Sequence, residues 1–307
     1  MSAPLLRLLP LLFLTATAGC TSELGDPVDE TDDSSDPSDP QDPSDPPSLP
    51  PVPAQTICDD SLGATGADLA KAMELCDGSL LSVELVNVMP EQAAVVTTYG
   101  STYKPNAGAA MATLATGAVS TGTDKDESLY EVSIVHPLPG PDPADGCGQA
   151  DPPQVQDMVR MKLNLKAPAG ATGFSFDFNF MSAEFPQYHC TEFDDTFLAI
   201  LESQSLNGNI SFDEKDKVIS INTGFFDVCN ALNGPNCGGA TELAGTGYDD
   251  RGGTGWLTTK APITPGEEFS LTFYLFDEGD AALTSQVLVD NFLWSSEALP
   301  DGPITID

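Results

Sequence analysis

Phe174-Ser175-Phe176-Asp177-Phe178-Asn179-Phe180 places four phenylalanines at every second position. Successive residues of a β-strand point to opposite faces, so the four rings share one face and Ser175, Asp177 and Asn179 share the other. Related alternation recurs on both sides of this run. Before it lie Val83–Leu85, Tyr130–Ile134 and Met161–Leu165; after it lie Phe197–Leu201, Val218–Ile221, Phe269–Phe276 and Val287–Trp294. Turns rich in Gly and Pro separate them, at Ala167–Gly173 and Thr264–Glu267. Many short strands with such turns predict an all-β fold, an antiparallel β-sandwich of jelly-roll type. One short helix is expected ahead of the strands. Leu69, Ala72, Met73 and Cys76 recur at three- and four-residue spacings, from about Gly66 to an end near Gly78.

Further toward the N-terminus the composition changes twice. Leu11 to Gly19 is a short apolar run behind Arg7, and it closes on Cys20. That pattern predicts a lipoprotein signal peptide over residues 1–19, with Cys20 as the acylated residue. Ala18 and Gly19 suit the cleavage site; Thr17 stands where Leu is commonest. A spanning helix is excluded for this run, because Leu8–Ala18 is about half the roughly 20 residues needed and Pro10 interrupts it. Residues 20–54 form an Asp/Pro/Ser-rich linker with ten acids and no base. Such a segment buries too little apolar surface to offset its ordering entropy and is expected to be a disordered stalk. In polyproline II form it would reach on the order of 100 Å, at about 3.1 Å per residue. Residues 55–307 then form one domain.

The chain carries a net charge of −36, and residues 55–307 hold 37 acids against 10 bases. A field of that sign repels nucleic acid and attracts cations. Apart from Cys20, six cysteines remain: Cys58, Cys76, Cys147, Cys190, Cys229 and Cys237. An even number in an exported chain predicts three disulfides among fifteen formal connectivities. Proximity in sequence favours Cys58–Cys76 and Cys229–Cys237, leaving Cys147–Cys190. A thiolate metal site is disfavoured, since no Cys-x-x-Cys spacing occurs.

Gly173–Tyr188 and Glu192–Ile200, with Ile219–Phe226, Gly253–Thr259, Pro262–Glu267 and Val287–Phe292, together resemble the choice-of-anchor L family of bacterial surface proteins. The resemblance extends over most of Leu80–Trp294. It implies an exported protein held at the cell surface, here by a lipid, and it brings no catalytic residues with it.

The residues themselves argue against enzyme chemistry. Only two histidines occur, His136 and His189, and there is no Gly-x-Ser-x-Gly, His-Glu-x-x-His or phosphate-loop motif. Paired carboxylates would serve a glycosidase, but with so many acids some pair always meets the required spacing. Metal binding has more specific support. Asp177, Glu184, Asp194, Asp195, Asp277, Asp280, Asp290 and Asn291 lie in or at the ends of strands, where a jelly roll brings distant segments to one rim. Oxygen ligands of this kind suit calcium, the one cofactor expected. The competing reading is that Asp290 hydrogen-bonds a neighbouring loop and the others are solvated, and no Asp-x-Asp-x-Asp-Gly loop supports calcium. Trp256 and Tyr248 lie in loop-like sequence and are the candidate ring faces for a ligand, but Leu257 beside Trp256 favours a buried plug at the end of the sandwich.

These readings combine into a lipid-anchored binding or adhesion protein of the outer membrane or cell surface. Its partners are expected to be the membrane, through the lipid, and a polysaccharide or surface protein, with no nucleic acid. The alternatives are a glycan hydrolase using two carboxylates and a structural envelope protein without a soluble ligand.

Overall fold

The computed structural model describes residues 49–58, 63–119, 136–137, 147, 154–230, 237–297, 299 and 302–307. The signal segment, Cys20, the linker up to residue 48 and the strand expected at Tyr130–Ile134 lie outside the described residues. Residues 49–54, the end of the expected linker, carry no regular structure.

Helix α1 spans Gly66–Lys71 and starts in a capping box, in which Thr65 and Asp68 each accept the other's backbone N–H. It stops earlier than its apolar spacing suggests. Glu74 takes a left-handed φ of 69° and Cys76 is bonded to Cys58, so the chain turns out of the helix to meet that bridge. Leu69 and Met73 are fully buried, and the Met73 carbonyl accepts the Phe292 N–H at 3.0 Å.

Fifteen strands occur among the described residues: β1 (Leu80–Val86), β2 (Ala93–Val96), β3 (Met111–Ala115), β4 (His136–Pro137), β5 (Gln154–Lys166), β6 (Gly173–Ser182), β7 (Thr196–Glu202), β8 (Asn207–Asn209), β9 (Ile219–Ser220), β10 (Val228–Cys229), β11 (Gly252–Gly253), β12 (Leu257–Pro262), β13 (Glu268–Asp277), β14 (Ser285–Ser295) and β15 (Ile304–Ile306). One sheet runs β1-β5-β13-β7-β8, with β4 on β5 and β9 on β7. The other runs β10-β11-β6-β14-β3-β2, with β12 on β6 and β15 on β12. The pairings are antiparallel and the sheets do not close into a barrel, which makes a β-sandwich.

The phenylalanine run is β6, and its rings fill the space between the sheets. Phe176 meets Phe273 of β13 edge-on at 5.0 Å, and Phe178 lies 4.8 Å from Phe197 of β7. Trp294 joins the same core, packing against Phe174, Phe269 and Phe292. The opposite face of β6 is not open to water. Asp177 and Asn179 are buried, because loops near residues 99–107 and 243–256 lie over that face. A second apolar cluster forms there from Tyr99, Tyr103, Met111, Met181, Leu243, Tyr248 and Leu288.

Two strand irregularities position the acids. The β6–β14 register shifts after Asp290, where Asn291 has a φ of 55°. The β5–β13 register shifts between Leu275 and Asp277, opposite a stretch in which Asp157 has a φ of 47°. Both are β-bulges, which re-aim side chains at the end of a ladder.

Candidate functional site

The acidic residues separate into two groups. Asp177 and Asp290 face each other across the β6–β14 pair and belong to one hydrogen-bonded network. Asp177 accepts from Thr258 Oγ1 at 2.7 Å and from the Asn106 and Asn291 side-chain amides at 2.9 Å each. Asp290 accepts the backbone N–H groups of Asn106 (2.6 Å), Ala107 (3.2 Å) and Asn291 (2.7 Å). All four carboxylate oxygens accept a hydrogen bond, and one of each pair, Asp177 Oδ2 and Asp290 Oδ2, ties residues 106–107 to the sheet. Asp290 thus hydrogen-bonds a neighbouring loop, while Asp177 and Asn291 are held in the same network rather than solvated. Burial pushes the Asp290 carboxyl up to about 7, against the pull of those three donors.

The second group sits where β6, β7 and β13 end. Asp195 is fully buried and accepts Ser285 Oγ at 2.6 Å and Ser182 Oγ at 3.3 Å, both through Oδ2. The Glu278 backbone N–H also donates to it, and the Asp277 carboxyl faces it. Glu184 and Asp277 are buried as well. Burial raises all three carboxyls above the ordinary range, and the Asp195 charge pushes Glu184 and Asp277 further up. Asp280, half-exposed, holds the Ala282 N–H at 2.9 Å and adds its charge to Glu184, which Arg251 opposes. Asp194 is buried next to Asp195 in the chain, with its carbonyl accepting Thr196 Oγ1. The sequence reading omitted Asp157 and Glu278. Asp157 sits in a bulge, with Val159 and Met161 in the main core on one side of it and Val155 with Met158 and Phe276 in a separate cluster on the other, so no simple alternation reveals it. Its charge acts on Asp277.

The ring candidates part company. Tyr248 is 1 % exposed and its hydroxyl donates to the Thr284 carbonyl at 3.3 Å, so it is core and offers no face to a ligand. Trp256 is half-buried, edge-on to Tyr103 at 6.4 Å, and lines an open cleft of about 490 Å³. Around it stand Asp227, Glu242, Thr241 and the backbone of Gly238, Gly239 and Gly255, with Asp307 as a third carboxylate. Gly255 has a φ of 69°, which lets the chain turn immediately before Trp256. The Cys229–Cys237 bridge fastens the adjoining segment. Burial, then the charges of Asp307 and Glu242, raise the Asp227 carboxyl. Nothing in the sequence singled out Asp227 or Glu242, because loop acids follow no period.

The other two expected disulfides are Cys58–Cys76 and Cys147–Cys190, and all three bridges are formed. His189 lies beside the second, its Nε2 at 3.5 Å from Cys190 Sγ and its Nδ1 at 3.3 Å from the Ile221 carbonyl. Since that sulfur is in a bridge, the histidine has no thiol there to activate.

Residues 154–292 match the family model of the choice-of-anchor L domain, somewhat less than half of the chain. The chain carries a choice-of-anchor L domain. The matched segment begins at β5 rather than near Leu80, so α1 and β1–β3 complete the sandwich from outside it. No curated protein and no solved structure matches the chain. A choice-of-anchor L domain with three disulfides marks an extracellular or cell-surface protein. Among the described residues no helix is long and apolar enough to cross a membrane.

Proposed function

We propose that this choice-of-anchor L protein is a lipid-anchored, non-catalytic binding protein of the cell surface, with a polysaccharide as its ligand and calcium as a structural ion. Acylation of Cys20 would hold it to the outer membrane, and the acidic linker would lift the sandwich away from the lipid. The observation that carries the reading is the cleft at Trp256. An indole beside carboxylates, a hydroxyl and three glycine backbones presents an apolar platform with hydrogen-bonding groups at its rim. Sugar rings match that combination, with C–H faces for the indole and hydroxyls for Asp227, Thr241 and Glu242. The net charge disfavours nucleic acid.

One observation favours a second reading, glycan hydrolysis. Asp227, with its raised carboxyl, shares the cleft with Glu242, the kind of pair in which one acid protonates a leaving group and the other acts as base or nucleophile. Both readings answer to one experiment on the full chain. Binding to envelope polysaccharides is measured alongside release of reducing ends, for the parent, Trp256→Ala, Asp227→Asn and Glu242→Gln. The binding reading expects Trp256→Ala to weaken retention by about tenfold or more in a protein still folded at the assay temperature, with no turnover in any variant. Turnover in the parent that vanishes in either amide variant would replace it with the hydrolase. Retention of a surface protein but of no glycan would move the ligand to that class.

A further inference from the structure

Glu184, Asp195 and Asp277 come from three strand ends and are 3, 0 and 3 % exposed. Asp195 Oδ2 is held by two serine hydroxyls, yet Asp195 Oδ1, Asp277 Oδ1 and Glu184 Oε2 are buried without a hydrogen-bond partner. A buried carboxylate oxygen left bare costs the desolvation it has undergone, and like charges beside it add to that cost. Three such oxygens on neighbouring carboxylates are therefore a poor end-state for a chain that hydrogen-bonds Asp177 and Asp290 so completely. Two remedies exist. The acids can take up protons, and Asp195 and Asp277 are placed to share one. Or a cation can occupy the space the bare oxygens face.

We propose that Glu184 Oε2, Asp195 Oδ1 and Asp277 Oδ1 are protein ligands of a calcium ion that pins together the ends of β6, β7 and β13. The proposal takes up the calcium of the binding reading and is independent of its glycan. The donor set is oxygen throughout, hard carboxylates with hydroxyls behind them, which excludes the sulfur- and nitrogen-seeking metals. Among the described residues no three carboxylates bring one oxygen each to within 4.8 Å of one another. The ligands must close in on the ion, which suits calcium's adaptable shell of six to eight oxygens better than magnesium's near-rigid octahedron. Asp280, half-exposed and acting on Glu184, gives the group an acidic approach from solvent.

The test uses the full chain with its disulfides intact, stripped with chelator and then titrated with calcium chloride. Calcium at about a hundred times its Kd is expected to raise the melting temperature by about 5–10 °C, and magnesium at equal concentration by much less. Asp195→Asn and Asp277→Asn should lose the calcium shift while melting in chelator at or above the parent, because each removes buried charge. Asp290→Asn should keep the shift. Should the amide variants fail to fold, terbium luminescence on the parent decides. Tyr248 is buried and feels the charges of Asp195 and Asp277, so a lanthanide at this site is sensitised by that ring, and Tyr248→Phe dims it. The proposal is overturned if calcium leaves the parent's melt unchanged, the proton-sharing outcome, or if the shift survives in both aspartate variants. Either result leaves the Trp256 cleft standing, since none of its residues belongs to this group.

Discussion

Asp177 and Asp290 show how far a single residue's role could be read in advance. Asp290 stands between Val289 and Asn291 near the end of an apolar strand, and that discomfort in the sequence was a genuine signal. What it signalled was a tether to the 106–107 loop, about 180 residues away in the chain, which no local pattern reveals. The tether has a pH signature. With its folded pKa raised to about 7 from an ordinary 3.8, Asp290 binds a proton more tightly in the folded state. Its stabilisation is therefore complete below about pH 4 and fades as pH rises through 7. The shift corresponds to about 4 kcal/mol at most, at about 1.36 kcal/mol per unit. In chelator, the melting temperature of the parent is expected to fall between pH 4 and pH 7, and that of Asp290→Asn to fall less. Parallel profiles for the two proteins would show that Asp290 does not titrate in this window.

At the scale of elements, the phenylalanine alternation of β6 was legible because a two-residue period needs no knowledge of partners. The second, polar face of the same strand was not, since its cover comes from loops whose approach is a long-range property. The short strands β10 and β11 escaped for another reason. Their two-residue lengths carry no period, and Gly252–Gly253 reads as turn. The structure explains the glycines. A Cβ on Gly252 would run into Phe185 Cδ1 and lie 2.7 Å from Phe226 Cε1, so β11 passes where two rings leave room only for backbone. Gly252→Ala is expected to destabilise the domain by about 1–3 kcal/mol through overpacking. Phe178→Ala, which empties a fully buried site against Phe197, is expected to cost about 3–5 kcal/mol. Denaturant midpoints at constant slope would check both, and an unaffected Gly252→Ala would mean the phenyl rings yield more readily than their packing suggests. By contrast Lys162→Ala should change little, because the 3.2 Å Lys162–Glu202 pair lies on the outer surface.

For the whole molecule the deciding quantity is charge. Residues 55–307 carry far more acids than bases, and that excess of one sign strains the compact state. Two mechanisms can relieve that strain, and they differ in range. Screening acts on all exposed acids together and needs only ionic strength; a coordinated cation acts at one place and needs particular ligands. They separate in a salt series run in chelator. Raising sodium chloride from about 0.01 to 0.15 M shortens the Debye length from about 30 to 8 Å, which should raise the melting temperature of the parent and of Asp195→Asn by the same few degrees. Calcium added at constant ionic strength should then raise only the parent. A common rise with calcium in both proteins would assign the whole effect to the diffuse field, and the buried oxygens at the ends of β6, β7 and β13 would be left to protons. A rise confined to the parent would mean that a domain displayed on the outside of a cell, where calcium is plentiful, has made one part of its excess charge into a fastening.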